Sequence, residues 1–224
     1  MSEVEEPDRP DEKPATEGFS AAAFRARARP LLRPEAPRYH EPPGGGDHAL
    51  DKGPPLVETD TPREAAVLIP VVDRGDEATV LLTVRTDHLP SHAGQIAFPG
   101  GKIDDTDEGA VAAALREADE EIGLGAGWIE PIGFLDAYIS TTGFRIIPVV
   151  SVVRPGFTLT VNEGEVADVF EVPLGFLMDA ANHRQESAIL RGSRRIFLAM
   201  PYGERYIWGV TAGILKQLYE TVYR

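Results

Sequence analysis

The stretch GGKIDDTDEGAVAAALREADEEIGL, residues 100–124, decides how this chain is read. Alanine, leucine and glutamate dominate from Ala110 to Ile122, so helix propensity is high, and Gly123 stands where a helix stop is expected. At helical steps Glu117, Glu120 and Glu121 fall within about a 100° arc, while Val111, Leu115, Ala118 and Ile122 gather on the opposite side. One face packs and the other collects carboxylates. Two like charges ~4 Å apart repel by ~1 kcal/mol in water and by several times more beside a low-dielectric surface, so three acids in one turn carry a cost that a divalent cation reverses. Hard oxygen donors suit Mg²⁺, which keeps several waters and shares its other positions between carboxylates and substrate phosphates.

An acidic helix face alone is most often merely solvated. Two neighbouring features make this one different. Arg116 lies beside the glutamates, where a guanidinium can hold a carboxylate in ligand geometry through paired hydrogen bonds. Just upstream, Phe98-Pro99-Gly100-Gly101 supplies a tight turn whose main chain can approach a metal or a phosphate.

The rest of the 224-residue chain narrows the class. A net charge of −14 repels polyanions, so no nucleic-acid partner and no anionic membrane surface is expected, and a phosphate substrate would need local cations. With no cysteine there is no disulfide, thiolate nucleophile or cysteine-ligated metal, and any metal must sit on oxygen or histidine. The first residues are acidic and no apolar run approaches the roughly 20 residues of a bilayer span, which reads as a cytoplasmic protein.

Residues 1–17, rich in Asp, Glu and Pro, read as a disordered acidic tail. Residues 18–33 read as a short arginine-bearing helix that could pack on the domain or cap a partner subunit, with a solvated helix of snorkelling Arg25, Arg27 and Arg29 the preferred reading, and residues 34–60 read as a Pro/Gly-rich linker. The domain proper is expected over 61–224. Ala65 to Val72 and Thr79 to Val84 form two strands joined by a turn, and Phe144 to Val153 a third, with Pro148 suggesting an edge or a bulge. Trp208, Thr211, Leu215, Leu218, Tyr219 and Val222 recur at helical spacing in a closing helix, with Trp208 read as packing. Strands around one central and one terminal helix make an α/β (α+β) layered domain.

Residues 100–124 resemble the Nudix box, the loop–helix–loop metal site of the Nudix hydrolases. Gly101, Asp107, Arg116, Glu117, Glu120, Glu121, Gly123 and Leu124 occupy its places, with Asp107 where Glu is usual and eight residues instead of seven before Arg116. The segments Leu81-Leu82-Thr83-Val84-Arg85 and His92-Ala93-Gly94-Gln95-Ile96-Ala97-Phe98-Pro99-Gly100-Gly101 are similar to those preceding the box in the coenzyme A pyrophosphatase branch, which tolerates the same longer loop. Pro90 stands where that branch often has an arginine. Further similarity covers Ser140 to Phe144, Glu165 to Leu174 and Ile207 to Ala212.

The resemblance implies an α/β/α sandwich with a mixed sheet and hydrolysis of a pyrophosphate bond in coenzyme A, to 4′-phosphopantetheine and 3′,5′-ADP. Glu117 and Glu121 are expected to bind Mg²⁺ (Mn²⁺ could replace it), with Glu120 on a second ion or a water and Gly101 contributing main chain. Arg116 orients Glu117, and Glu165 or Glu163 is the candidate base. Arg85, His92, Gln95, Lys102 and Arg145 are candidate substrate contacts, and Arg194 and Arg195 further cations that could meet phosphate. Another Nudix substrate (ADP-ribose, NADH or a nucleoside triphosphate), a non-catalytic nucleotide-binding regulator, and a homodimer stay open alternatives.

Overall fold

The computed structural model describes residues 18–47, 61–88, 93–190 and 193–224. The tail at 1–17, residues 48–60 of the linker, and His92 lie outside the described residues. The sheet is built on β2 (Arg63–Val72) and β8 (Phe144–Val153), which run parallel over ten paired residues from Arg63↔Phe144 to Val72↔Val153. Both strands are β-branched runs buried on two faces, the pattern expected of central strands.

Every other neighbour in this mixed sheet is antiparallel except β1 (Gly45–Gly46), which runs parallel to β7 (Tyr138–Ile139). Beyond β8 lie β7 and β6 (Ile129–Phe134); beyond β2 lie β3 (Thr79–Arg85) and β9 (Val166–Pro173). Alternate side chains feed two cores. Leu68, Val72, Leu81, Ile147 and Val149 pack under α2 (Ala110–Ile122), whereas Ile69, Val80, Leu82, Ile146 and Val150 pack with α1 (Ala21–Ala28), the short α3 (Leu174–Leu177) and α4 (Gly209–Val222). The result is an α/β/α sandwich, as expected, carrying a smaller antiparallel sheet of β10 (Arg184–Leu190), β11 (Ser193–Tyr202) and β12 (Arg205–Trp208).

Three local expectations change. Pro148 is on a central strand, not an edge. Its carbonyl accepts from the Leu135 amide at 3.2 Å, where the neighbour of β8 switches from β6, last paired at Val149, to β7, first paired at Ile146. The N–H that proline lacks falls at this gap in the ladder, where no partner strand calls for it. The amino-terminal helix is not simply solvated either: Ala21, Phe24 and Ala28 are buried in the α4-side core, while Arg25 reaches Glu130 and Arg27 covers the Tyr223 ring. The glycine run read as linker supplies β1. Trp208 packs edge-on against Phe197, in keeping with a packing role.

The positioning of the site comes from a split between β2 and β3. The two strands pair only at Val71↔Val80 and Val72↔Thr79, then diverge. Residues 96–102 fill the opening: β4 (Ile96–Ala97) pairs with β3, β5 (Gly100–Lys102) pairs with β2, and the Leu68 amide donates to the Pro99 carbonyl at 2.9 Å. The glycine turn is thereby pressed under the carboxylate face of α2.

Candidate metal and substrate site

Helix α2 starts at Ala110 and ends at Ile122, with Gly123 left-handed at φ 67°, so both bounds match the sequence. Arg116 is its organiser. Its Nε and Nη2 donate to the two oxygens of Asp107 at 3.0 and 2.9 Å, and Nη2 also reaches the Lys102 carbonyl at 3.1 Å. Nη1 donates to Glu117 at 3.0 Å and to Glu120 at 2.9 Å. Asp107 therefore takes the place expected of the box acid despite the longer loop, and its carboxyl is held below the usual range first by Arg116 and then by the Asp104 amide. The adjacent Glu108 is exposed.

The three glutamates differ sharply. Glu120 points outward with its side chain 57% exposed and bonded to Arg116. Glu117 is half-buried, and burial raises its pKa against the pull of Arg116. Glu121, placed by helical spacing on the polar arc, is buried: its Oε2 accepts the Gly100 amide at 3.2 Å, and burial pushes its pKa up to about 7. Proximity of Glu117 and of Glu165 raises it further, and Arg85, 3.8 Å away, opposes them.

Among the described residues no three acidic or histidine side chains stand ready-made around a metal position. Glu117 and Glu121 converge, and Glu120 is turned aside by Arg116. The two carboxylates fit a hard cation by their chemistry and by the cradle opposite them. A Cβ on Gly101 would lie 2.3 Å from Glu117 Oε1, so only glycine lets the main chain meet that carboxylate.

The remaining candidates divide. Arg85 ends β3 facing Glu121, and its amide donates to the Gln95 carbonyl at 3.0 Å, which brings Gln95 to the same end of the sheet. Lys102 is exposed on β5, lending its carbonyl to Arg116. Glu165 precedes β9, where its carbonyl accepts from Thr86 and its charge is felt by both inner glutamates; Glu163 is on the exposed turn beside it. Arg145 is a correction. It is buried on β8 and spends its guanidinium on Glu64 and on the carbonyls of Pro37 and Arg38, at 2.7, 2.9 and 2.6 Å, pinning the amino-terminal segment instead of meeting phosphate. Arg194 and Arg195 stand on β11 in the small sheet, with Arg194 donating to Ser187.

Asn162 was not singled out from the sequence. Its amide donates to the Glu121 carbonyl, its side-chain nitrogen to Glu165 at 3.2 Å, and its side-chain oxygen accepts from Gly164 at 3.1 Å. The run Asn162-Glu163-Gly164-Glu165 carries the signal, since asparagine two residues before glycine favours this self-bonded turn.

One buried and one half-buried carboxylate on a helix, set over a glycine bend, with Arg116 holding Glu117 and Arg85 facing Glu121, have the layout of a loop–helix–loop metal site. The NUDIX domain model matches residues 62–190, and the Escherichia coli K12 protein named uncharacterized Nudix hydrolase NudL is 44% identical over 162 residues, 72% of this chain and 83% of NudL. The chain belongs to the Nudix hydrolase family. Among solved structures, the Nudix hydrolase RenU from M. smegmatis is 24% identical with a TM-score of 0.44, covering 52% of this chain and 74% of its own. A C. elegans Ap4A hydrolase is 17% identical with a TM-score of 0.43, covering 50% and 80%. These values leave the sequence relationship to carry the assignment.

The protein is thus a pyrophosphohydrolase of a family that acts on small nucleotide substrates and generally uses divalent metal ions. Among the described residues no helix is long and apolar enough to cross a membrane.

Proposed function

We propose that this enzyme hydrolyses the pyrophosphate bond of coenzyme A or its derivatives, with Mg²⁺ held by Glu117 and Glu121. The carrying observation is the wedge of residues 96–102 beneath α2, because the segment that resembles the coenzyme A branch is the one that brings Gly100 and Gly101 against those carboxylates. When bound, a hard divalent cation would screen the diphosphate oxygens and acidify a coordinated water.

The chain's own groups have separate tasks. Arg116 fixes Glu117 and keeps Glu120 at the rim; the Gly100 amide orients Glu121. Glu165, steadied by Asn162, is the base that takes a proton from the attacking water. Arg85 and Gln95 lie on the substrate side, where a cation offsets the acidic field for an anionic ligand. Water adds to phosphorus, the bridging oxygen leaves, and 4′-phosphopantetheine and 3′,5′-ADP result. ADP-ribose, NADH and nucleoside triphosphates are the competing substrates, since specificity lies in loops outside the shared helix. Residues 61–224, with α1 and β1 packed onto them, would form the catalytic domain, working in the cytoplasm.

Mass-spectrometric identification of products from coenzyme A, dephospho-coenzyme A, ADP-ribose and NADH, with and without Mg²⁺, tests this. Metal-dependent release of the two named products, faster than turnover of the other three, is the expected result. Equal rates on coenzyme A and its dephospho form would remove recognition of the 3′-phosphate.

A further inference from the structure

Arg85 ends β3 at an irregularity that decides where its side chain goes. The pairing with β9 skips a residue there: Val84 faces Asp168, but Arg85 faces Val166. A bulge of this kind bends a strand pair and re-aims the side chain beside it. The result is a guanidinium directed at Glu121, its Nη1 3.8 Å from Oε1. That is too long for a hydrogen bond, and the Arg85 Nε is buried without a partner. The side chain keeps 27% of its surface exposed, so the charge itself stays solvated while its Nε–H is left as an unmade donor beside the acidic pair. Glu121 has the Gly100 amide on its other oxygen, and among the described residues no other cation pairs with it.

The geometry points to Arg85 as a placeholder charge. Its charge partly neutralises Glu121, and a cation held by Glu121 would compete with it and turn the guanidinium to the diphosphate of the substrate. The inference rests on the reading of Glu117 and Glu121 as metal ligands. Two cations on one buried carboxylate repel each other strongly where water is scarce, so the guanidinium cannot hold its place 3.8 Å from Glu121 Oε1 beside a divalent ion at no cost. Its planar fork suits phosphate oxygens, and the unused Nε–H is a donor held in reserve for them. Arg85 therefore weakens metal binding to the empty enzyme and strengthens diphosphate binding to the loaded one. A purely structural residue would weaken both when removed.

The test is calorimetric titration of the full-length, metal-free protein with Mn²⁺, followed by titration of the loaded protein with methylene diphosphonate, for wild type and Arg85→Gln. Arg85→Gln is expected to bind Mn²⁺ roughly threefold to tenfold more tightly, from removal of one nearby charge, and the diphosphonate at least about tenfold more weakly, from loss of a charged contact. Unchanged or weaker Mn²⁺ binding in the variant overturns the inference while leaving the metal site standing; no Mn²⁺ binding by wild type overturns both. A measurement on wild type alone guards against a misfolded variant. The Arg85 Nε–Hε resonance is expected to shift when Mg²⁺ is added without substrate, and a resonance that stays in place overturns the inference.

Discussion

Arg116 and Asp107 are joined by two parallel hydrogen bonds, 3.0 and 2.9 Å long, across a loop one residue longer than the usual box. The fork leaves Nη1 free to hold Glu117 and Glu120 at once. Lysine keeps the charge and loses the fork. Arg116→Lys is expected to lower kcat by roughly 10- to 100-fold, and Asp107→Ala to act in the same direction, with the Mg²⁺ concentration for half-maximal rate raised in both. Steady-state kinetics across a Mg²⁺ series reads this; wild-type behaviour in both variants would show that the fork is decorative.

The pKa of Glu121 sets a dependence on pH. Burial raises it to about 7, so the fold favours the protonated form. The stability it contributes is fully present below the unfolded carboxyl value and is lost as pH rises toward about 7, a difference on the order of 3 kcal/mol in the metal-free protein. Glu121→Gln is neutral throughout. Its stability advantage over wild type, measured by urea unfolding in chelator, is expected to be larger at pH 8 than at pH 5. Adding Mg²⁺ at pH 8 should narrow the gap by stabilising wild type, while the variant gains little and loses turnover.

Gly100 and Gly101 fail differently when given a side chain. A Cβ on Gly100, at φ 155°, would meet the Ala66 carbonyl oxygen at 2.4 Å and Val67 Cα at 2.7 Å, both main-chain atoms of β2. Gly100→Ala must part β5 from β2 and should cost about 4 kcal/mol or more, seen as a large fall in Tm. The obstacle at Gly101 is the end of the Glu117 side chain, which can move. Gly101→Ala should melt close to wild type and bind Mn²⁺ about tenfold more weakly; the reverse order would misplace the cradle.

Arg145 separates structure from catalysis. Removing its buried guanidinium by Arg145→Met leaves two carbonyls and Glu64 without their donor and should cost about 3 kcal/mol in chemical unfolding. The kcat/KM per folded molecule should stay at the wild-type value. A variant that is stable but tenfold less active would return Arg145 to the substrate site.

Helix α2 was legible to the residue because propensity, periodicity and the terminal glycine agree, and Arg116 with its acids was legible because its partners lie within one helix and its loop. What escaped depends on contacts between distant segments. Helical spacing puts Glu121 with its exposed neighbours; only the arrival of Gly100 beneath it makes it a buried carboxyl. Arg145 looked like a cation available to phosphate because nothing in its vicinity along the chain shows that Pro37 and Arg38 will close over it. Pro148 argued for an edge by a rule about strands with one neighbour per side, and here one side changes neighbours.

The wedge of residues 96–102 between β2 and β3 ties catalytic competence to completion of the fold. The acidic helix can form early from local contacts, yet its glycine counterpart is held by two strands from earlier in the chain, which start at Arg63 and Thr79. On the proposed mechanism, a chain whose wedge has not docked would display the glutamates without the floor beneath them and would not turn over substrate.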